Sequence, residues 1–567
     1  MINWSDIKTK KDFSDYIGVS LDALDFILEN KINRKLYYDF CIPKKNGKSR
    51  AISCPNDNLK LIQNKIYLKL LEYREYLIDN CIISNKVSHG FELKKSIITN
   101  AKLHKHKKYI INIDLEDFFT SFHFGRVCGF FEKNRNFMLP HNIAVIISKL
   151  VCKDGVLPQG APTSPIITNF ICGIFDFRVL KLAKKYKLDY SRYADDLTFS
   201  TNNSFVKEKY DEFLNDISRE VLCAGFKINA YKTSFAYHTS KQVVTGLVVN
   251  DKVNVDNAYY KKVRAMAHSL YKTGKFFIDG SEGTINQLEG KFSYIHHINK
   301  KSFEIQRNNI CAKKKNSEFD RRDKSFIEFL FYKNFYCNKK PLIITEGKTD
   351  VLYLKAALMN LYKEYPLLVE NKGSHFKYNI SFFKKSSIIN EMFDFNKDGG
   401  HTFKRVYDLY CDKRSKNDHE KYGLLNKFNI LTNKSFTMPV FLLFDNELVN
   451  KDKPLYNFLS SNNIKDKSNN LKNNLFYKVF ENGNLYIITN PLVNGKDECE
   501  IEELFDESTL SHNFSGKTLS LNKDFDTSIH VGKNIFANYI YYNYKKIDFK
   551  NFRYIFDIMN DIIDEYI

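Results

Sequence analysis

Three aspartates carry the strongest chemical signal in the sequence. Asp114 closes the apolar run Ile110, Ile111, Ile113 in YIINIDLEDFF (109–119), and Asp195 and Asp196 interrupt SRYADDLTFS (191–200). Carboxylates crowded together repel one another, and divalent cations relieve that repulsion. Two such ions about 4 Å apart can activate an attacking oxygen and stabilise a leaving one. A second acidic set lies further on. Glu346 follows a short apolar run in PLIITEGKTD, Asp350 closes that string, and Asp445 and Glu447 end MPVFLLFDNE (438–447). Oxygen ligands of this kind suit magnesium.

The elements that must position these acids are readable from the pattern around them. The run before Asp114 suits a buried strand, and the segment around Ala194-Asp195-Asp196 suits a β-hairpin with two acids at its tip. Between them, VLPQGAPTSPIITNF (156–170) is a turn-rich entry fixed by Gly160 and three prolines, followed by a helix from Ile166. Such a loop lets backbone and Gln159 approach a flat base pair closely. Upstream, IPKKNGKSRAI (42–52) reads as a basic hairpin turning at Gly47, whose lysines and arginine could clamp a triphosphate. Downstream, GFKINAYKTSF supplies Lys232 near a strand, and GLVVNDKVNV turns at Asn250-Asp251. In the second set, strands over 342–345, 438–447 and 484–491 alternate with helical stretches, which predicts a parallel sheet with its site beyond the carboxyl ends of the strands. Glu502 or Glu503 of ECEIEELF is a possible late ligand there, against the plainer reading of a charged helix. Asp350 also has a plain reading, as an acid favoured at a helix start.

Composition bounds the partners. The 567 residues carry 87 Lys+Arg against 66 Asp+Glu, a net of +21. Residues 1–340 hold 57 basic and 36 acidic side chains and the remainder 30 of each, so the whole excess lies in the first three-fifths of the chain. That distribution points to a polyanion held there. Hydrophobic residues at 43% are too many for a disordered chain. Eleven scattered cysteines without a CxxC pair support neither a zinc site nor a disulfide framework. The polar opening and the absence of a long apolar run predict a soluble, cytoplasmic protein with no membrane partner. The basic, aromatic-rich stretch 311–340 is expected to be a linker, and 412–421 and 461–474 surface loops.

The order of basic loop, Asp strand, LPQG-x-x-x-SP, Tyr-Ala-Asp-Asp hairpin and G…N…K segment over roughly 40–250 resembles the reverse transcriptases. The resemblance implies a multidomain α+β chain whose first part is a right-hand polymerase of fingers, palm and thumb, with the basic helical segments 259–275 and 288–298 as thumb. It makes Asp114, Asp195 and Asp196 the metal-binding catalytic triad for two Mg2+. It makes Arg50, with Lys45 or Lys48, the grip on the triphosphate, and Gln159 a contact to the nucleotide. Phe119 would be the steric gate selecting dNTPs, and Lys232 a proton donor to the leaving pyrophosphate. NAKLH (100–104) and QVVTGLVV (242–249) are similar to the NAxxH and VTG signatures of retron enzymes. Read without the family, Asn100 and His104 mark a polar helix end and Val244-Thr245-Gly246 a strand breaking at glycine. RNA recognition and a structural role therefore both stand open for these five residues. Retron enzymes copy part of a cognate noncoding RNA, priming from a guanosine 2′-hydroxyl, and yield branched RNA-linked single-stranded DNA.

EGKTD with an Asp-x-acid strand resembles the TOPRIM fold, an α/β, Rossmann-like domain. That likeness implies Glu346 as general acid/base, with Glu346, Asp350, Asp445 and Glu447 around one or two Mg2+; Glu447 departs from the usual DxD. The expected partition is a reverse transcriptase over 1–310, the linker 311–340, and over 341–567 a TOPRIM domain with insertions and an unassigned tail. The function implied is a retron reverse transcriptase with a fused, metal-dependent TOPRIM nuclease in anti-phage defence, with self-association as a homo-oligomer left open. The rivals are a reverse transcriptase of another defence class, a TOPRIM unit acting as a primase-like or non-catalytic binding module, and an inert scaffold.

Overall fold

A computed structural model of the chain describes residues 4–29, 36–43, 47, 49–307, 320–395, 399–411, 423–432, 437–462, 464, 468–493, 495–521 and 524–567. It divides into two compact units, Met1–Asn257 with His297–Ala312, and Ala258–His296 with Lys313–Ile567. Both units mix helices and strands.

The first unit is built on an antiparallel sheet. A hairpin of β1 (Tyr37–Pro43) and β2 (Ser49–Pro55) stands apart from it, pairing Ile42 with Arg50. The sheet itself orders β4 (Asp189–Tyr193), β5 (Asp196–Thr201), β3 (Tyr109–Asp114) and β6 (Ser234–Tyr237). Ile110, Ile111 and Ile113 of β3 are all buried, which is why the strand reads as mostly apolar, broken only by Asn112, which donates to the Val243 carbonyl. The helix Ser164–Lys185 begins with Pro165 in its first turn, where a missing N–H costs nothing. Trp4 is fully buried against Tyr73, Phe131 and Phe137. Two short strands, β7 (Val243–Val244) and β8 (Leu247–Val248), form a second hairpin. Its turn residues Thr245 and Gly246 have φ of 47° and 81°. The expected strand break at glycine is thus a tight two-residue turn needing positive φ at both positions.

The second unit opens with residues 258–273 of the helix Asn257–Thr273, a small hairpin of β9 (Phe277–Ile278) and β10 (Ser281–Glu282), and residues 285–296 of the helix Ile285–Arg307. Grouping 258–296 here, rather than within 1–310, has an aromatic cause. Phe292 stacks on Phe326 and Phe329, and Tyr271 packs on Tyr332 and Phe428. The linker expected over 311–340 is therefore a folded element in its described part: the helix Arg321–Phe331 runs into a wide turn, Tyr332–Tyr336, with Phe326, Phe329, Leu330, Phe331 and Phe335 buried. Basic residues between the aromatic ones hid an apolar stripe with helical spacing.

The main sheet of this unit contains β11 (Leu342–Thr345), β14 (Ser381–Phe382), β15 (Val440–Phe444), β16 (Phe476–Lys478) and β17 (Leu485–Thr489); β12 (Val369–Asn371) and β13 (Phe376–Tyr378) form a separate hairpin. The order is β14-β11-β15-β17-β16, parallel except for the edge strand β16, as the alternating pattern predicts. The tail is part of this fold. Phe536 and Ile540 of the helix Lys533–Tyr542 and Ile555, Phe556 and Met559 of Arg553–Asp564 share a core with Tyr353, Leu354 and Leu358. Of the expected loops, 412–421 lies outside the described residues, while 461–474 contains the helix Ser468–Asn474, held by buried Leu471. No helix among the described residues is long and apolar enough to cross a membrane.

Candidate active sites

The three aspartates of the first unit meet at one end of its sheet. Asp114, last in β3, pairs in register with Asp196, first in β5. The Leu115 amide donates to the Asp195 carbonyl at 3.0 Å. Ala194 has φ of 54°, so the turn between β4 and β5 is tight and aims both acids off the sheet end. Burial, reinforced by Asp195 and Asp114, pushes Asp196 up to about 7, and burial with Asp114 raises Asp195 as well. Lys232 donates from Nζ to Asp114 Oδ1 at 2.8 Å, the one cation bonded to the trio among the described residues. Acids held this way have unmet demand for positive charge, and their hard oxygen donors fit divalent ions.

Around this trio the other expected residues take defined places. Arg50 on β2 is near enough for its charge to act on Asp195. Gln159 is half-buried, and its carbonyl accepts from the Ser53 amide at 2.8 Å, which docks the 156–160 loop on β2. Gly160 (φ 122°) is required there, since a Cβ would lie 2.8 Å from the Ser53 carbonyl oxygen. Phe119 is half-buried, with ring centres 5.5 Å from Phe118 and 6.2 Å from Phe91. Lys45 and Lys48 lie outside the described residues.

Asn100 and His104 are completely buried, and burial pushes His104 down to about 3, leaving it neutral. Val244 is buried too, Thr245 donates from Oγ1 to the Ile97 carbonyl at 3.3 Å, and Gly246 is exposed. Both side chains lie inside the first unit, where Asn100 accepts from Ser191 and His104 lies against Ser191 and Ser200.

One support was not legible in the sequence. Arg192, fully buried on β4, donates to both carboxylate oxygens of Asp176 at 2.8 Å, to Asn169 Oδ1 at 3.2 Å and to the Ala194 carbonyl at 3.2 Å. It fastens the acid-bearing turn to the helix Ser164–Lys185. On the strand's edge, Arg192 exchanges backbone hydrogen bonds with Val87 and His89, which brings Gly90 against Ala194.

A model of the family described as reverse transcriptase (RNA-dependent DNA polymerase) matches residues 42–255. The retron Ec86 reverse transcriptase of Escherichia coli is 32% identical over 296 residues, which cover 51% of this chain and 85% of that protein. The chain belongs to the retron reverse transcriptases. Two relatives from Myxococcus xanthus are similar to this retron enzyme. The Mx162 reverse transcriptase is 31% identical, covering 49% of this chain and 62% of its own, and that of Mx65 is 28% identical, covering 52% and 69%. A telomerase from Candida albicans, solved with a fragment of telomeric RNA, aligns over 53% of the chain and 60% of its own at 12% identity and a TM-score of 0.31.

The retron enzyme's second unit gathers its acids beyond the carboxyl ends of β11 and β15. Glu346 follows β11; burial, with Glu447 and Asp350 adding repulsion, pushes it up to about 8, the Asp445 backbone acting the other way. The Glu346 Oε1 is buried without a hydrogen-bond partner among the described residues. Asp445 is held by the Asn490 side chain at 2.8 Å and the Ile501 amide at 2.9 Å, and burial with Glu346 and Asp350 raises it well above the carboxylate range. Asp350 starts the helix Asp350–Asn360 and accepts from the Gly347 amide at 2.8 Å, so it closes the turn as well as joining the cluster. Glu447 is buried and accepts from Lys453 Nζ at 2.5 Å.

Glu502, rather than Glu503, turns inward: it is buried and accepts from Lys533 Nζ at 3.1 Å. Glu503 instead pairs with Lys496 at 2.6 Å. Glu500, Lys453, Lys533 and Asn490 were missed at the sequence level, because each is an ordinary polar residue in a loop or at a helix start, brought in only by the fold. Five acidic side chains from three chain segments, Glu346 and Asp350, Asp445 and Glu447, and Glu502, present hard oxygen donors of the kind a divalent cation takes.

Proposed function

We propose that the first unit synthesises DNA on a cognate noncoding RNA from dNTPs, yielding RNA-linked single-stranded DNA, and that the second is a metal-dependent TOPRIM nuclease serving anti-phage defence. The observation that carries the polymerase half is the register pairing of Asp114 with Asp196 at the base of the tight Ala194 turn. In this reading Asp114, Asp195 and Asp196 hold two Mg2+ and Arg50 pairs with the incoming triphosphate. Gln159 lies against the nucleotide and Phe119 against its sugar. Bound magnesium would lower the pKa of the attacking hydroxyl and offset charge on the leaving pyrophosphate. Lys232, once released from Asp114, is the proton donor to that pyrophosphate. The excess of 21 positive charges before residue 341 suits continuous contact with RNA and DNA phosphates.

The nuclease half rests on Glu346, a carboxyl group whose raised pKa near 8 suits a general acid/base, beside Asp350, Asp445 and Glu447 around one or two Mg2+. A non-catalytic binding module is the second reading, favoured by Lys453 and Lys533, which already lie on Glu447 and Glu502. Glu346→Gln separates the two. Loss of nucleic-acid cleavage and of cell toxicity with DNA synthesis unchanged supports the nuclease; unchanged cleavage overturns it. Asp195→Asn tests the other half, since cDNA made by that variant would refute the polymerase assignment.

A further inference from the structure

We infer that His104 is a positioning residue for the polymerase acids, tying the two strands that flank the Asp195–Asp196 turn to the helix Ile97–Leu103. This rests on the polymerase reading above and adds a role that the acids themselves do not reveal. His104 Nε2 lies 2.7 Å from Ser191 Oγ on β4, and Nδ1 lies 2.7 Å from Ser200 Oγ on β5. Ser191 is register-paired with Thr198, so Ser191 and Ser200 are diagonal neighbours on one face of the strand pair, and the imidazole spans them.

The protons have one consistent order. Ser191 gives its hydroxyl proton to Asn100 Oδ1 at 2.6 Å, so its oxygen accepts from His104 Nε2–H. Nδ1 is then the acceptor for the Ser200 hydroxyl. A ring in that tautomer satisfies both strands at once, and an apolar side chain would leave two buried hydroxyls short of a partner.

The opposite face of β4 is fixed independently. Tyr190 and Arg192, alternating with Ser191, both bond to Asp176. Ser191 lies four residues before Asp195 and Ser200 four after Asp196, so the hairpin is gripped symmetrically behind its tip. The Val244–Leu247 turn leans on the same helix through Thr245 and Ile97. The two signature strings thus form a brace behind the catalytic turn.

The test uses the full chain and its RNA, with His104→Ala, the double variant Ser191→Ala/Ser200→Ala and His104→Gln. Steady-state DNA synthesis is followed against dNTP and Mg2+, with RNA affinity measured separately. We expect kcat to fall roughly tenfold or more, as a sub-ångström displacement of catalytic groups would cause. The Mg2+ needed for half-maximal rate should rise, while dNTP KM and RNA affinity stay within about twofold, and His104→Gln should recover part of the rate. The double serine variant is the safeguard against misfolding. Wild-type kcat and Mg2+ dependence in that variant with its melting temperature retained, or a loss confined to RNA affinity, would overturn the inference. Absence of DNA synthesis by the wild-type protein would instead refute the polymerase reading.

Discussion

Replacing Gly90 with alanine should damage catalysis from outside the acid cluster. A Cβ at this position would sit 2.6 Å from the Ala194 amide nitrogen and 3.2 Å from the Tyr193 carbonyl carbon, where ordinary contact begins at 3.4 Å. The two backbones must therefore separate by ~0.8 Å, and neither is free to do so without loss. Gly90 is fixed by Asn169, whose amide donates to its carbonyl at 2.8 Å, and the neighbouring His89 amide donates to the Arg192 carbonyl at 2.8 Å. The strain thus falls on the 193–196 turn. Overpacking of this kind costs about 1–3 kcal/mol, and a displacement approaching 1 Å at reacting groups costs up to about 100-fold in rate. Single-turnover primer extension and thermal melting read the two effects. Gly129→Ala is the matched control, since a Cβ there meets nothing within 4 Å. A Gly90→Ala protein with wild-type rate and wild-type melting temperature would refute the claim that Gly90 holds the turn in place.

Three further outcomes are expected. Phe119→Ala should relax sugar discrimination, raising ribonucleotide over deoxyribonucleotide incorporation roughly tenfold or more; unchanged discrimination in competition primer extension would remove Phe119 as the gate. Stability should fall in acid through His104: its folded pKa of about 3 lies below the ordinary 6.5, so the unfolded chain takes up the extra proton. The contribution is full above pH 6.5 and is lost progressively toward pH 3, the loss having reached about 2 kcal/mol by pH 5. Urea unfolding of wild type and His104→Gln should therefore diverge in pH dependence between pH 7 and 5, and parallel curves would count against a neutral buried imidazole. Lys453→Gln should lower the melting temperature without Mg2+, because Glu447 loses its partner, and should enlarge the Mg2+-induced rise. An identical Mg2+ response in wild type and variant would show that Lys453 does not compete with the metal.

Local pattern carried much of the fold and the acids, while long-range polar pairing was hidden. The strand before Asp114 was legible because burial on both faces favours isoleucine at three of the four positions before it, and the Asp195–Asp196 hairpin because polar turn residues break an otherwise strand-forming segment. The parallel sheet of the second unit followed from alternation. What failed was the reading of charge as exposure. In 320–340, lysines and arginines share a helix with Phe326, Phe329 and Leu330, which are buried, and in 468–474 a single leucine holds a helix made mostly of asparagine and serine. The tail carried a usable signal that went unread, since Phe536 with Ile540 and Ile555 with Met559 repeat at four residues. The supports of the site were invisible for another reason. Ser191 meets Asn100 across 91 residues and Ser200 meets His104 across 96, and nothing in serine, asparagine or histidine alone announces a partner at that separation.

The two acid sites meet the same electrostatic problem in different ways, and the difference bears on how each is switched. At Asp114, Asp195 and Asp196 one exposed lysine bonds to one acid, and Asp196 is left with a pKa near 7, so neutral solution sits where small changes in bound cations alter its charge. In the second unit Lys453 and Lys533 both bond to buried glutamates, and the bond to Glu447 raises Lys453 itself. Displacing an ammonium ion from a buried carboxylate costs more than occupying a vacant one, since the released carboxylate must be compensated at once. On the proposed function, the first site would take metal with Asp195 and Asp196 not bonded to a lysine among the described residues, whereas in the second Lys453 would have to leave Glu447 before that carboxylate could ligate. On the proposed function, an effector that has to stay silent while its polymerase works would gain from that asymmetry, which the placement of two lysines would provide without any change in the acids.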